Sequence, residues 1–585
     1  MKKKLTIINI LATVVLIAGC DDMLDRVPKD KLSPETYFKT ANECQLFTNE
    51  FYLIFPGATD IFYENADVIV PSVLSDAVQN TRTVPATDDN WSWESLRGIN
   101  FFLEHADQCE DEDARRQYVG LAKFFRTYFY WLKVRRYGDV PWVDRALAAD
   151  DEELYKPRDS RQVVMEHMLE DINYAIDNLP SKKSVFEVTK WTALALKSRV
   201  FLFEGTFRKY QGLGDWERYL QESESASSIL INTGGYTLYT KGDQPYRDLF
   251  VAQDASTLAS EVILAKSCAK ATTMLNNSTG CYTAAGGDKP GMLKDIVDSY
   301  LMKDGTRFTD KEGYDRMLFS DEVTGRDPRL AQTIRTPGYT RLGETVLCPP
   351  DMSATMTGYQ ICKWVCEPSY DTYMNSTNDI IHFRLAEVLL NYAEAKAELG
   401  TLSQADIDLS VNKLRDRAGM PHLSMAEANA NPDPFLLDTK TGYPGVTGAN
   451  QGVILEIRRE RTVELMCEGH RYWDIMRWKA GKRFDRAFYG MYVDGVGEYD
   501  LDADGVTDFV VYEGDAPAAV SGVTYMNIKD MNLADGSKGK MLLHGSIPRN
   551  WDENKDYLYP IPTEDRTITG GIITQNPGWN DGLDI

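Results

Sequence analysis

Four aspartates with the spacing of calcium ligands stand near the carboxyl end of the chain: Asp500, Asp502, Asp504 and Asp508. Counted from the first, they offer oxygen atoms at positions 1, 3, 5 and 9, and Gly505 at position 6 permits the turn that calcium loops require. Position 12 is Val511, where helix–loop–helix calcium sites place a bidentate glutamate, and no flanking helices are evident. The spacing therefore predicts a partial, structural calcium site, with a metal-free acidic turn as the alternative.

Two tryptophans have the spacing of a sugar-binding platform. Trp91 and Trp93 stand two residues apart in the polar segment 88–93. In an extended backbone alternate side chains point to the same side, so the two indoles would offer stacking surfaces to two sugar rings. The alternative is that one or both belong to the core. Further ligand-binding candidates are Tyr63, Asp76, Asn80 and Tyr282.

The segment 460–478 carries several charges at helical spacing. Glu460, Glu464 and Glu468 are four residues apart, with Arg461 and Arg471 within reach. Two of these carboxylates could act as a general acid and a general base. The matching arginines favour the other interpretation, a network of ion pairs that ties helices together.

No motif indicates an enzyme. The six histidines lack the H-E-x-x-H spacing, and the G-x-S-x-G, G-x-G-x-x-G and phosphate-loop patterns are absent. The chain is rich in acidic residues, but no pair of them stands out for glycoside hydrolysis. We therefore expect no catalysis and no required cofactor, with the predicted calcium serving structure alone.

The cysteines fit neither a zinc site nor a regular disulfide framework. Apart from Cys20, eight cysteines are scattered at irregular spacing, and none forms a C-x-x-C pair. We interpret them as buried free thiols, with disulfides as the alternative.

The first twenty residues resemble the leader of a lipoprotein. Three lysines, at positions 2–4, precede an apolar run over residues 5–17, which is shorter than the roughly 20 residues that a membrane-spanning helix needs. The run ends in Ala18-Gly19-Cys20, which is similar to the lipobox of bacterial lipoproteins, where the cysteine carries the lipid (palmitate). We predict a signal peptide over residues 1–19 and a lipid anchor at Cys20. The alternative is an ordinary signal peptide followed by an incidental cysteine.

Charge and composition limit the class of ligand. The chain of 585 residues has a formal net charge of −24, so it repels nucleic acid, and it repels acidic polymers unless a local basic patch intervenes. Aromatic residues make up 11% of the chain, which suits stacking against sugars. These features favour a neutral ligand and exclude a nucleic-acid partner.

Helices alternate with long loops along the chain. Apolar periodicity and terminating glycines or prolines predict helices over 115–136, 160–179, 189–204, 216–232, 381–399, 403–418, 452–467 and 471–480. The helix–Gly–helix unit broken at Gly400 resembles a degenerate tetratricopeptide repeat. Stretches rich in Gly, Asp, Pro and Thr cover about 265–375, 420–450 and 485–585. Loops of this length are usually functional, so we expect a helical scaffold whose loops carry the binding site.

A series of motifs in fixed order resembles the SusD/RagB family, the glycan-binding lipoproteins of polysaccharide-utilisation systems in Bacteroidetes. The motifs lie at residues 24–28, 37–38, 126, 137–141, 171–180, 326–329, 357–364, 384–395, 412–419, 460–478, 559–562 and 575–578. They cover nearly the whole mature chain.

The resemblance implies a mostly α-helical fold, with about four tetratricopeptide-like helix pairs, long irregular loops and little β-structure. It implies a lipoprotein of the outer membrane, and the acidic pair Asp21-Asp22 behind Cys20 resembles a signal for export to the cell exterior. It also implies a partner, a SusC-like TonB-dependent transporter. An early tryptophan-containing loop with a nearby asparagine contributes to the glycan site of such proteins, which points to Trp91, Trp93 and Asn100.

We therefore expect a signal peptide (1–19) and a single domain (20–585). Within it we distinguish a helical part (about 30–265), a loop-rich insertion (266–375), a helical repeat with closing helices (376–482) and a loop-rich carboxyl-terminal part (483–585). The leading hypothesis is non-catalytic capture of an oligosaccharide and its delivery to the transporter. A peptide-capturing subunit of the same kind of import complex is the alternative, and a surface hydrolase is a third hypothesis without a supporting motif.

Overall fold

The computed structural model describes residues 37–583 of the chain. The predicted signal peptide and Cys20, the predicted site of lipid attachment, lie outside the described residues. Within residues 37–583, no helix is both long and apolar enough to cross a membrane. The eight cysteines in this range are free thiols, as the sequence interpretation proposed, and six of them are buried, whereas Cys281 and Cys348 are partly exposed.

Helices are the main element of the structure. The first part of the chain forms α1 (Ala41–Thr48), α2 (Ala58–Phe62), α3 (Asp76–Gln79), α4 (Glu94–His105), α5 (Glu112–Tyr137), α6 (Arg161–Asn178), α7 (Lys190–Gln211), α8 (Trp216–Thr233), α9 (Pro245–Val251), α10 (Ser278–Thr283) and α11 (Lys294–Ser299). The second part forms α12 (Phe319–Val323), α13 (Pro328–Ala331), α14 (Leu385–Leu399), α15 (Gln404–Leu409), α16 (Val411–Ala418), α17 (Met425–Ala430), α18 (Pro434–Leu437), α19 (Gln451–Glu464), α20 (Arg471–Arg477) and α21 (Thr563–Ile568).

The long helices pack as neighbours in the manner of a tetratricopeptide scaffold. Helix α5 packs on α6, and α7 packs on α8, so each forms an antiparallel pair. Helix α14 packs on α8, on the two helices that follow it (α15 and α16) and on α19. The short helix α20 closes the scaffold against α7. The prediction of a mostly α-helical, tetratricopeptide-like fold is confirmed.

Local chemistry explains where the scaffold helices begin and end. The Asp111 carboxylate accepts the backbone N–H groups of Asp113 and Ala114 at the start of α5. That helix ends at Gly138, whose φ of 76° is readily adopted by glycine and costly for other residues. Gly205 in α7 permits the close approach of α8, because a Cβ atom there would stand 2.6 Å from Leu220 Cγ.

The strands form four small sheets. Their bounds are β1 (Ile69–Val70), β2 (Val262–Lys266), β3 (Gly291–Met292), β4 (Ile380–Arg384), β5 (Phe488–Val493), β6 (Gly497–Tyr499), β7 (Phe509–Tyr512), β8 (Thr524–Asn527) and β9 (Gly539–Leu543). Antiparallel pairs join β1 to β3, β2 to β4 and β5 to β9. In the remaining sheet, β6 pairs antiparallel with β7, and β7 pairs parallel with β8.

The loop-rich segments contain more regular structure than their composition indicates. The segment 266–375 holds four short helices and β3, and the segment 483–585 holds two of the small sheets and α21. Within the segment 483–585, strands β6, β7 and β8 lie in the chain between the paired strands β5 and β9. The division of the mature chain into four parts stays a prediction.

A cluster of buried ion pairs centred on Glu464 joins elements that are distant in sequence. One carboxylate oxygen of Glu464 accepts Arg384 Nη1 at 2.7 Å and also pairs with Arg417, and the other accepts Arg329 Nη1 at 3.2 Å. All four side chains are buried. Burial opposes ionisation of Glu464, but the three arginines, Arg417 first, outweigh it and hold the pKa of the carboxyl well below its usual range. The cluster thereby joins α19 to α13, α16 and β4.

A second group of ion pairs fastens α20. Arg461 on α19 donates to Asp474 Oδ2 at 2.8 Å and to Asn391 Oδ1 at 2.7 Å. Arg477 on α20 donates to Glu394 Oε2 on α14 at 2.8 Å. The interpretation of the segment 460–478 as a structural network therefore agrees with the geometry.

We expect Glu464→Gln to lower the free energy of unfolding by about 3–5 kcal/mol, because the change leaves three buried arginines short of one negative charge. Urea denaturation of the mature chain measures the effect. Glu427→Gln, at an exposed position of α17, is the matched control and should shift stability by less than about 0.5 kcal/mol. Equal stabilities of the two variants would contradict the central role of Glu464.

We also expect Arg461→Ala to lower the melting temperature, because it leaves the buried Asp474 with Arg477 as its remaining cationic partner and removes a donor from Asn391. Differential scanning calorimetry measures the change. An unaltered thermal transition would show that this arginine does not stabilise the contact between α19 and α20.

Candidate functional site

A cleft of about 620 Å³ opens between α5, α20 and the loops that precede α3 and α4. We call it the α5–α20 cleft. Its polar and aromatic lining includes Tyr63, Asn90, Ser92, Trp131, Lys133, Arg135, Arg136, Arg199, His470, Tyr472, Trp473 and Tyr559. Its volume falls in the range of small-molecule binding sites.

Aromatic rings hold two guanidinium groups of α5 in the wall of the cleft. The Arg135 guanidinium lies 4.1 Å from the ring centroid of Trp131 and 4.1 Å from that of Trp473, so it is held between two indoles. The Arg136 guanidinium lies 3.7 Å from the ring centroid of Tyr559. Stacking of this kind engages the faces of a guanidinium and leaves its N–H groups, which point outward in the plane, for hydrogen bonds.

Arg135 differs from the other arginines of the lining in its partners. Arg199 pairs with Glu387 at 2.6 Å, Arg461 with Asp474 at 2.8 Å, and Arg136 with Asp88 at 3.4 Å. Among residues 37–583, Arg135 has neither a carboxylate partner nor a hydrogen-bond acceptor, and its Nε is buried without one. Burial lowers the pKa of Arg135 to about 9, which still leaves the group charged at neutral pH. The cleft therefore contains a positioned cation that lacks an oxygen acceptor.

The two tryptophans predicted as a platform do not form one. Trp91 is 3% exposed and its ring packs edge-on against Tyr137, with centroids 4.8 Å apart. Trp93 is half-buried, and the two indoles stand 85° apart. A 3-10 turn over Asp89–Trp91, and not an extended strand, precedes Trp93, so the expected alternation of side chains does not apply. The prediction of a side-by-side exposed pair is wrong, and Trp93 alone stays a ligand-binding prediction.

The same loop borders the cleft through its polar residues. Asp89, Asn90 and Ser92 line it. Lys133 on α5 donates to the backbone carbonyls of Asn90 and, at 2.6 Å, of Ser92, so the loop is tied to the scaffold. Burial, which is the largest influence, lowers the pKa of Lys133 to about 7.

Two other predicted ligand contacts are core residues. Asn100 is 0% exposed; it donates to Val143 O at 2.9 Å and accepts from Arg126 at 3.2 Å. Tyr282 is likewise 0% exposed and donates to Phe62 O. Side chains without accessible surface cannot touch a ligand in this conformation, so these two predictions are wrong for the structure as described.

The remaining candidates lie near the cleft, and one of them lines it. Tyr63 belongs to the lining and donates to Asp288 Oδ2 at 3.2 Å. Asp76 is exposed at the start of α3, and Asn80, at a φ of 58°, donates to the backbone of Asn550 just beyond that helix. Their roles in binding stay predictions.

Sequence reasoning missed Trp131, Arg135 and Trp473. Trp131 and Arg135 are four residues apart on α5, a spacing that brings side chains together on one helix face and that could have been noticed. Trp473 comes from a helix more than 300 residues away, and its position was not deducible from local spacing.

The structure brings together three of the four predicted calcium ligands. One oxygen from each of Asp500, Asp502 and Asp504 lies within 4.8 Å of the others. Asp508 is not in this group, and its Oδ2 accepts the backbone N–H of Leu501 at 2.7 Å. Burial and, second, the charge of Asp508 raise the pKa of Asp502 to about 6.

Comparisons with known proteins agree on one family. The model of the SusD family matches residues 260–579, and a model described as starch-binding, associating with the outer membrane, matches residues 61–202. A SusD-like protein of Formosa agariphila is 26% identical over 497 residues, covering 80% of this chain and 90% of its own.

Solved structures show the same fold. A SusD-like protein of Bacteroides fragilis superposes with a TM-score of 0.69 at 20% identity, covering 95% of this chain and all of its own. A SusD-like carbohydrate-binding protein of the same species superposes with a TM-score of 0.67 at 19% identity, covering 91% and 99% of the two chains. The family match extends over more than half of the residues, and the chain therefore belongs to the SusD family, whose members are carbohydrate-binding proteins of the outer membrane.

Proposed function

We propose that the protein captures an oligosaccharide in the α5–α20 cleft at the cell surface and passes it, chemically unchanged, to a SusC-like TonB-dependent transporter. Membership of the SusD family supports both the carbohydrate ligand and the transporter partner. One structural neighbour is itself described as carbohydrate-binding. The lipid anchor at Cys20 and the outward orientation are part of this proposal.

Arg135 is the observation that carries the assignment of the cleft. A cation held between Trp131 and Trp473 suffers little further loss of conformational freedom when it binds, so its free N–H groups suit a ligand rich in acceptor oxygens. Sugars present hydroxyl and ring oxygens at high density. A charge-assisted hydrogen bond of this kind is worth roughly 1.5–3 kcal/mol.

The positive charge of Arg135 extends the expected class of ligands from neutral sugars to acidic ones. A net charge of −24 favours neutral ligands, as the composition indicated. The unpaired Arg135 is the local basic feature that would let the chain accept a sugar bearing a carboxylate or a sulfate. Acidic glycans therefore belong in the binding screen beside neutral ones.

Three buried carboxylates of the cleft, Glu64, Glu468 and Asp474, have partners within the protein, which supports binding without catalysis. Asp474 and Glu468 pair with arginine or lysine partners at 2.6–2.8 Å. Burial raises the pKa of Glu64 to about 7, a value that would suit a general acid. Both of its oxygens, however, accept backbone N–H groups, from Cys467 and Arg471 at 2.7 Å, so Glu64 holds the turn before α20.

We expect the mature chain, residues 21–585, to bind one class of glycan in affinity electrophoresis and calorimetry and to leave that glycan uncleaved. Arg135→Gln should weaken binding by about 10–100-fold, because it removes a charged donor. Arg218→Gln is the matched control, since Arg218 pairs with Glu166 outside the cleft. Trp93→Ala tests whether this half-buried indole contributes.

Unchanged affinity in Arg135→Gln, with the fold intact by circular dichroism, would remove the cleft from the proposal. Binding of a peptide mixture and of no glycan would favour peptide capture. Appearance of shorter sugars in the incubation would contradict the non-catalytic role.

We further expect the full-length chain to be cleaved by protease added to intact cells and to cross-link to a TonB-dependent barrel in the outer membrane. Cys20→Ser should abolish lipid attachment and release the protein from the membrane fraction, because the lipid on Cys20 is the proposed anchor. Metabolic labelling with a fatty acid and mass spectrometry of the cross-linked product measure the two outcomes. Retention of Cys20→Ser in the membrane fraction would contradict the anchor.

A further inference from the structure

The loop between β6 and β7 crowds carboxylates that face one another. Oxygens of Asp500, Asp502 and Asp504 lie within 4.8 Å of one another, and among residues 37–583 no arginine or lysine forms an ion pair with any of the three. Like charges at such distances repel, and the usual relief in this protein is a buried arginine. The loop has no such relief within the described part of the chain.

The inference rests on Asp502, because the hydrogen bonds of an acidic turn do not explain why this side chain is buried. The residue is 6% exposed, and its Oδ1 is buried without any hydrogen-bond partner. A buried carboxylate oxygen without a partner destabilises the fold unless a cation or a donor compensates it. Hydrogen bonds do explain Asp500, whose Oδ2 accepts the backbone N–H of Gly505 at 2.8 Å. They leave Asp502 unexplained.

We propose that this loop binds one Ca²⁺ ion through Asp500, Asp502 and Asp504. An all-oxygen, carboxylate-rich set matches hard divalent cations and not zinc or copper, which prefer nitrogen and sulfur. The loop is irregular and partly open to water, which suits the flexible geometry of calcium better than the strict octahedron of magnesium. Waters and backbone carbonyls would fill the remaining positions.

The site is smaller than a complete calcium-binding loop. Asp508 already accepts the backbone N–H of Leu501, and Val511 lies buried in β7, where a complete site would have a bidentate glutamate. With three carboxylates, affinity should fall in the range of extracellular modules, about 10⁻⁴–10⁻³ M. Calcium in the medium can reach such concentrations, so the ion would be held outside the cell and not inside it.

The position of the loop indicates what the ion would do. The loop links β6 to β7, and β7 also pairs with β8 in the three-stranded sheet that is inserted between β5 and β9. The segment between β5 and β9 buries few apolar side chains of its own, namely Leu501, Phe509, Val511 and Leu533. A cation that neutralises the loop would hold the β6–β7 hairpin in register and make the projecting insert rigid.

The test uses the mature chain, residues 21–585, stripped with a chelator and titrated with CaCl₂ by calorimetry. We expect one ion per chain for the unaltered protein. Asp502→Asn should weaken binding by at least about tenfold, since ligand charge sets affinity in such loops. Asp504→Asn, at an exposed position, is a second variant with little effect on folding, and the exposed Asp515→Asn in the same insert is the matched control that should bind as the unaltered chain does.

Hydrogen exchange gives a second readout. Calcium at about 5 mM should slow amide exchange over residues 497–512 in the unaltered chain and in Asp515→Asn, but not in Asp502→Asn, and magnesium should not replace it. No heat and no added protection up to that concentration would overturn the proposal. Binding by Asp502→Asn and Asp504→Asn that equals the unaltered chain would overturn it as well.

Discussion

The buried pairing of Glu464 with three arginines is the constraint on which the other contacts of the scaffold depend. Taking four charged groups out of water costs far more than a surface ion pair can return, so the arrangement is stable only when every partner is in place. Its members come from four elements spread over more than 130 residues. If any one of these elements were misplaced, a buried charged side chain would lose its ion-pair partner. The positions of α13, α16, α19 and β4 therefore depend on one another.

That rigidity has a direct consequence for the cleft. Helix α20 carries Asp474 and Arg477, which fasten it to α19 and α14, directly beside Trp473, which covers one face of Arg135. The ring that positions the cation is thus fixed by ion pairs one and four residues further along the chain. Because α5 supplies Trp131 and Arg135 from a single helix face, two rigid elements suffice to hold the guanidinium between its rings.

The helical scaffold was largely predictable from sequence, because periodicity and end signals such as Gly138 and Gly400 act locally. The charged segment 460–478 was also interpreted correctly, since its glutamates and arginines match in number. Trp91 was not, because alternation of side chains holds only in extended backbone and the residue lies in a 3-10 turn that directs its ring toward Tyr137. The contact between Arg135 and Trp473 depends on the tertiary packing of α20 beside α5, which no local sequence pattern predicts.

Buried polar groups in folded proteins almost always have hydrogen-bond partners, so a group without one indicates a partner that does not belong to the chain. Two such groups in the described part of the chain, Arg135 and Asp502, carry charges of opposite sign. In the cleft, Arg135 lacks an acceptor, which calls for a ligand rich in oxygen. In the inserted sheet, Asp502 lacks a donor or cation, which calls for a metal ion. Both groups sit on a chain of net charge −24, and this charge opposes an anionic ligand at Arg135 while it favours a cation at Asp502. The cleft must therefore achieve its selectivity through the fixed geometry of its rings and donors, against the charge of the chain, whereas at the aspartate loop the charge of the chain assists binding and the flexible geometry of the loop selects among divalent cations.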